Sequence, residues 1–306
     1  MDLSVIIVCY KGWEKLTLCL ESLEWFQSER FSFEVLVVDN NSGDDQLLTL
    51  EKRFASFRFL RNRVNGGYAN GCNLGFKESV GEHILILNPD TIVTEDAISE
   101  LLDELKKNKN CGIVSCRQVR SDGRMTKPWG NFPALPGRKR NNPDSGAEHF
   151  FPDWVSGSLM LMTRDLYIRL NGFDERYWMY SEDVDLCRRT RDLGYEVALF
   201  NNITIEHNHG GSSRIDLRTT ALTKTEVQTS RHLYISIHLK GAERALMHLF
   251  IIADNMVSGL VAFIAGSIFF FIPKLRVRVL IFLSIIAYYW TALKKHSWVS
   301  RRSVTV

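Results

Sequence analysis

Several features that would place a 306-residue chain quickly are missing from this one. Its six cysteines (Cys9, Cys19, Cys72, Cys111, Cys116 and Cys187) form no CxxC pair and no zinc-type spacing, which argues against a zinc ribbon or a dithiol redox centre. Most of them lie in apolar segments, where a free cysteine behaves as a small hydrophobe, and this fits a reducing compartment. No basic region or cleavage site precedes the first apolar run, so no signal peptide is expected and the front of the chain should stay in the cytosol. Internal repeats, a GxGxxG turn and a Walker loop with its lysine are also lacking. What remains is 45% hydrophobic and 24% charged, the balance of a folded protein.

The net charge of +3 conceals a division. Residues 1–213 hold 25 Lys and Arg against 31 Asp and Glu, a balance of −6; residues 214–306 hold 13 against 4, a balance of +9. The basic part is also apolar, with uncharged Met256 to Ile272, then Pro273-Lys-Leu-Arg-Val-Arg278, then Val279 to Leu293. A tail of this kind suits an anionic membrane surface better than nucleic acid. Each run is somewhat shorter than the about 20 residues a crossing takes. A spanning hairpin, or a single span, would also leave basic residues on the outer side, against the positive-inside rule. A re-entrant or in-plane helical pair is therefore expected, with a buried hairpin in an oligomer interface as the alternative.

Ahead of that tail, Leu3 to Cys9 and Phe33 to Val38 are continuous apolar runs, the mark of strands buried on both faces. Apolar residues at helical spacing follow the first (Trp13, Leu16, Leu20, Leu23) and the second (Leu47, Leu50, Phe54). His83 to Leu87, Val197 to Phe200 and the stretch from Ile203 read as further strands, and Thr94 as the N-cap of a helix carrying Ile98, Leu101, Leu102 and Leu105. Strands alternating with helices imply an α/β chain with a doubly wound, mostly parallel sheet. Ligands bind such sheets at the carboxyl ends of the strands. Asp39, Asn65 and Asp90 all fall just after strands.

Four polar stretches there can carry chemistry, and each has an ordinary alternative. Asp90, in Asn88-Pro89-Asp90, can bind a hard divalent cation that takes its other ligands from water and a diphosphate; otherwise it caps a turn. Asn65-Gly-Gly-Tyr-Ala-Asn-Gly71 reads as a phosphate cradle or as a tight strand-to-helix turn. Asp39 can accept from a ribose or a base, or close an Asx turn with Asn40 and Ser42. Glu182, Asp183 and Asp185 gather in the first turn of a helix, where acids also favour the helix dipole. Neighbours on a helix point about 100° apart, so at most one of Glu182 and Asp183 faces a given ligand. His207 and His209 should share one face of a strand, one completing a metal shell and the other structural.

These stretches, in this order, resemble the inverting family 2 glycosyltransferases of GT-A fold, in particular a bacterial rhamnosyltransferase-like branch. The matching segments are Ser4 to Tyr10, Val37 to Ser42, Asn65 to Gly75, Leu87 to Thr91, Val155 to Ser158, Phe173-Asp174, Tyr180 to Leu186 and His207 to Ser212. The resemblance implies a nucleotide site of Tyr10, Asp39, Asn65, Gly66, Gly67 and Asn88. It also implies Asp90 and His207 on Mg2+ or Mn2+, Asp183 as general base with Glu182 beside it, and Trp154 and Gly157 on the acceptor side. Asn88 stands where the family's DxD motif has its first acid.

The domains expected are a nucleotide-sugar half (1–115), an acceptor and catalytic half (116–213) and a helical membrane-associated region (214–306). The activity implied is transfer of a sugar, rhamnose in that branch, from a dTDP- or UDP-sugar to a cell-surface glycan or polyprenyl-diphosphate-linked acceptor. It would occur at the cytoplasmic face of a bacterial inner membrane. A sugar nucleotidyltransferase is one alternative, but Tyr10-Lys-Gly-Trp13 lacks the glycine-rich basic loop it needs. A non-catalytic nucleotide-binding scaffold is another, and would not need acids at both turns.

Overall fold

The computed structural model describes residues 1–24, 26, 29–135, 137, 141, 143–208, 216–269 and 271–305. The chain folds as two units, a sheet unit (Met1–Phe132, Arg140–Asp174 and Glu182–Ser212) and a helical unit (Pro133–Lys139, Glu175–Ser181 and Ser213–Val306).

The sheet unit begins with β1 (Leu3–Cys9), buried at every position. Its side chains alternate: Leu3, Val5, Ile7 and Cys9 enter one core, Ile6 and Val8 the other. β2 (Phe33–Asp39) and β4 (His83–Leu87) flank β1 in parallel, and β3 (Arg58–Arg61) continues beyond β2. Antiparallel pairings belong to the later chain. β10 (Leu159–Thr163) runs antiparallel between β4 and β6 (Cys111–Val119), and β11 (Glu196–His207) returns parallel to β6. The order is β3-β2-β1-β4-β10-β6-β11-β5, with β5 (Thr91–Ile92) antiparallel to the end of β11. The sheet is therefore mixed, its parallel part carrying the early loops.

One face is covered by α1 (Trp13–Glu24) and α4 (Glu95–Lys107), through Leu16, Leu20, Leu23, Ile98, Leu101, Leu102 and Leu105. Thr94 caps α4 as its sequence suggests, its side chain accepting from Ala97 N at 3.2 Å. The other face carries α3 (Gly67–Glu78), α5 (Arg164–Arg169) and α6 (Glu182–Asp192). All six cysteines are free and buried.

Two sequence expectations change here. Residues from Gly67 onward are helix, not a loop, and Gly71 and Gly75 serve close packing: a Cβ would stand 2.6 Å from Val8 and 2.5 Å from Ile6. The strands anticipated at Val197–Phe200 and from Ile203 are one strand, β11, with a register shift between Phe200 and Thr204.

The helical unit contains α7 (Leu217–His238), α8 (Gly241–Ile268) and α9 (Pro273–Lys295). Ser230 and Ser303 tie segment 175–181 into it by donating to the carbonyls of Met179 and Glu175. At 28 and 23 residues, α8 and α9 are long and apolar enough to cross a membrane. They exceed the uncharged runs read from the sequence because helix geometry continues into polar turns, where Met247, His248, Ile251 and Asn255 are buried. The outward residues are apolar, among them Val257, Val261 and Trp290, each more than 60% exposed. Such a surface marks a membrane or protein contact.

Candidate active site

Because β1, β2 and β4 are parallel neighbours, the loops after them open on one sheet edge. There Tyr10 is half-buried, and Asp39 is nearly enclosed and accepts from Ser42 N at 3.1 Å. Asn65 turns inward: its Oδ1 accepts from Gly67 N (3.2 Å) and from Asn40 Nδ2 (3.1 Å), whose amide also reaches Gly67 O. Gly67 sits at φ +88°, which a side chain would strain. Asn62 joins by donating to Asn40 and Asn70. The Asn-Gly-Gly stretch is thus a hydrogen-bonded entry to α3, and Asn65 holds its shape.

At the end of β4, Asn88 N donates to Ser158 O (3.0 Å), and Asn88 O accepts from Thr91 Oγ1 (2.7 Å). The β5–β11 pairing sets Thr91 opposite His207 and so brings Asp90 beside the imidazole. His207 Nε2 lies 3.1 Å from Asp90 Oδ1, and His207 Nδ1 lies 2.7 Å from Gln118 Oε1. With Nδ1–H donating to the amide oxygen, Nε2 is the ring atom turned toward the carboxylate. Gln118 is itself fixed, fully buried, by Ser158. Lys15 Nζ stands 3.9 Å from Asp90 Oδ2 and donates to the carbonyl of Asn208.

This pair fits the divalent cation that the resemblance implies. An imidazole nitrogen and a carboxylate oxygen converge, and the other ring nitrogen is held by a buried partner, the usual orientation of a metal-ligating histidine. Among the described residues no three His, Cys, Asp or Glu side chains gather into a metal cluster. The protein would supply Asp90 and His207, leaving positions for water and diphosphate oxygens. His209, the other candidate, lies outside the described residues, and β11 ends at His207.

The second acidic turn differs. α6 starts at Glu182, immediately after Tyr180 (φ +70°) and Ser181 (φ +64°). Two consecutive left-handed residues cost about 1–2 kcal/mol each, a strain typical of functional turns. Asp183 Oδ2 accepts from Gly157 N (2.9 Å) and Oδ1 from Val184 N (2.8 Å). Tyr68 Oη donates to Gly157 O at 2.8 Å, so Gly157 links Tyr68 to Asp183. A Cβ at Gly157 would stand at ordinary contact distance, 3.4 Å from Tyr68 and 3.5 Å from Asp183.

Glu182 is only 6% exposed, beside Tyr68 and Cys72, and its Oε2 has no hydrogen-bond partner among the described residues. Burial, then the Asp183 charge, pushes its carboxyl well above the usual range. Burial also raises Asp183, but its two backbone N–H bonds oppose the shift. Glu182 is therefore the acid that keeps its proton, and half-buried Asp183 the one that ionises and meets solvent. Asp185 is fully buried and ion-paired at 2.7 Å with Arg189, which also donates to the carbonyls of Leu170 and Gly172. Its work is to anchor α6.

Among the remaining candidates, Gly66 lies tight against Asn70. Trp154, in β9 (Trp154–Val155), donates Nε1–H to Asn131 O at 3.1 Å and lies over Gly130. Sequence reasoning missed Tyr68, Gln118, Ser158 and Lys15 as site residues. Tyr68 and Ser158 lie inside motifs already singled out. Gln118, a buried amide late in an apolar strand, was the available signal for the metal side.

A family model described as Glycosyl transferase family 2 matches residues 4–167, and one described as N-terminal domain of galactosyltransferase matches residues 143–209. The low-salt glycan biosynthesis hexosyltransferase Agl10 of Haloferax volcanii is 26% identical over 222 residues, 68% of this chain and 67% of that protein. The N-acetylglucosaminyl-diphospho-decaprenol L-rhamnosyltransferase of Mycobacterium tuberculosis is 28% identical over 243 residues, 70% of this chain and 78% of the relative. Among solved structures, the mannosyltransferase PcManGT of Pyrobaculum calidifontis, in complex with GDP-Man and Mn2+, superposes with a TM-score of 0.58 at 14% identity. That match covers 97% of this chain and 88% of the other.

Proposed function

The chain belongs to glycosyl transferase family 2, and from that membership we propose that it moves a sugar from a dTDP- or UDP-sugar to a lipid-linked glycan acceptor, with inversion. Rhamnose is the sugar we favour, after the Mycobacterium tuberculosis relative. Residues 1–115 form the donor side of this scheme, 116–213 the acceptor side, and 214–306 the membrane-associated region at the cytoplasmic face of a bacterial inner membrane.

The observation that carries the proposal is the unequal acid pair opening α6, with Glu182 buried and Asp183 held by two N–H groups. In the reaction, Asp183 takes the proton of the acceptor hydroxyl as its oxygen bonds to the anomeric carbon. The bond from that carbon to the diphosphate breaks on the opposite side, and the diphosphate leaves with the electron pair. A positioned base contributes about 10²–10⁴-fold. Neutral Glu182 adds no second charge beside the base. A divalent cation on Asp90 and His207 would offset charge growing on the diphosphate, and Lys15 lies on the same side. Asp39 and Tyr10 bind the nucleoside in this scheme; Trp154 and Gly157 border the acceptor.

The test is incubation of the purified chain with nucleotide sugars and a polyprenyl-diphosphate glycan, with Mn2+ or with EDTA. Metal-dependent transfer and an inverted anomeric centre by NMR are expected. A retained configuration, or no turnover across the donor panel, overturns the proposal.

A further inference from the structure

Asp183 accepts two N–H groups of different origin. The Val184 N–H, at 2.8 Å, comes from the next residue and so is supplied by α6 itself. The Gly157 N–H, at 2.9 Å, comes from the segment between β9 and β10 and has to be delivered to the carboxylate. On either side of Gly157 the backbone is tied down: Ser156 N donates to Pro128 O at 2.8 Å, and Ser158 O accepts from Asn88 N at 3.0 Å. Gly157 has no side chain to hold it, so its place between them is left to the partners of its own N–H and carbonyl. The carbonyl accepts from Tyr68 Oη at 2.8 Å.

Tyr68 is well placed to hold that carbonyl. It is the second residue of α3, directly after Gly67, whose own N–H Asn65 accepts at 3.2 Å. Its ring meets buried Phe173 edge-on, with centroids 6.3 Å apart, so the hydroxyl sits at the end of a fixed lever. Burial, then the charges of Cys72, Glu182 and Asp183, pushes that hydroxyl well above the ordinary tyrosine value, and it remains a donor. The titratable groups around Asp183 are Glu182, Asp185 and Cys187 on α6 and Tyr68 on α3, all of them acids. What favours the charged form of Asp183 is therefore its N–H bonds.

We propose that Tyr68 is a positioning residue for the base: its hydroxyl holds Gly157, and Gly157 holds the Asp183 carboxylate in the orientation that transfer needs. The start of α3 then serves both substrates, Asn65 and Gly67 on the nucleotide side and Tyr68 on the acceptor side. The inference rests on the reading of Asp183 as general base.

The test compares the full chain in detergent as wild type, Tyr68→Phe and Asp183→Asn. Phenylalanine keeps the ring on Phe173, so Tyr68→Phe should melt with the wild type. Without any ligand, hydrogen exchange over residues 155–159 should quicken in Tyr68→Phe; an unchanged rate overturns the hold on Gly157. In the transfer assay above, the KM values of donor and acceptor should stay as they are while kcat falls by between about 10-fold and 10²-fold. The acidic limb of kcat/KM should also move to higher pH, because a weakened N–H bond favours the ionised carboxyl less. A lower kcat with the limb unmoved makes Tyr68 a structural residue, and a raised acceptor KM makes it a substrate contact; either overturns the proposal. Asp183→Asn separates the two failures. Turnover retained there overturns the base, and this inference with it. Turnover lost there, with a wild-type limb in Tyr68→Phe, overturns the role of Tyr68 alone.

Discussion

Two aspartates open the two acidic turns of the sheet unit, and their neighbours give them opposite characters. Asp90 meets one ammonium and one imidazole nitrogen, Lys15 Nζ at 3.9 Å and His207 Nε2 at 3.1 Å. Asp183 meets another acid and neutral N–H groups. The first environment suits a carboxylate that shares a cation. The second suits one whose basicity is raised by burial. The same side chain is thus prepared for two tasks by what is packed around it, and each prediction below is a way to break that contrast.

The largest effect is expected at the base. Asp183→Asn should lower kcat by about 10²–10⁴-fold with donor affinity by titration unchanged; a variant that keeps its turnover dissolves the distinction between the two turns. Next comes the support behind His207. Gln118→Leu removes the acceptor that orients the imidazole and should weaken the Mn2+ requirement of transfer by about 10–100-fold in apparent affinity. An unchanged metal titration would leave Gln118 a core residue only.

Glu182→Gln should cost little turnover and change stability instead. Its carboxyl is raised in the folded protein, so folding is favoured below the ordinary carboxyl range and loses that contribution as pH climbs toward the raised value. Glutamine does not titrate. The variant should therefore melt above the wild type at about pH 8, with the gap closing near about pH 4. A gap independent of pH, or of reversed sign, contradicts a protonated Glu182.

How much of this was legible in the sequence follows from range. β1, β2 and β4 announced themselves through continuous apolar runs, and the Thr94 cap through local chemistry. The first-turn position of Glu182 and Asp183 was visible too. Strand direction was not, because alternation is the same either way, and β10 is antiparallel to both neighbours. Gln118 and His207 meet across 89 residues, and Tyr68 and Gly157 across the same span. No local pattern encodes such pairings. The helical tail was read by hydropathy, which registers Met256 to Ile272 and passes over the histidines at 232 and 248.

The most direct measurement is the pH dependence of kcat/KM for sugar transfer. Rate requires ionised Asp183, and burial lifts that carboxyl above its ordinary value. The acidic limb should therefore fall at a pH above the usual aspartate value of about 3.9, and it should be missing from the residual activity of Asp183→Asn. A profile flat down to about pH 4, or a limb that persists in Asp183→Asn, would contradict the assignment of the base.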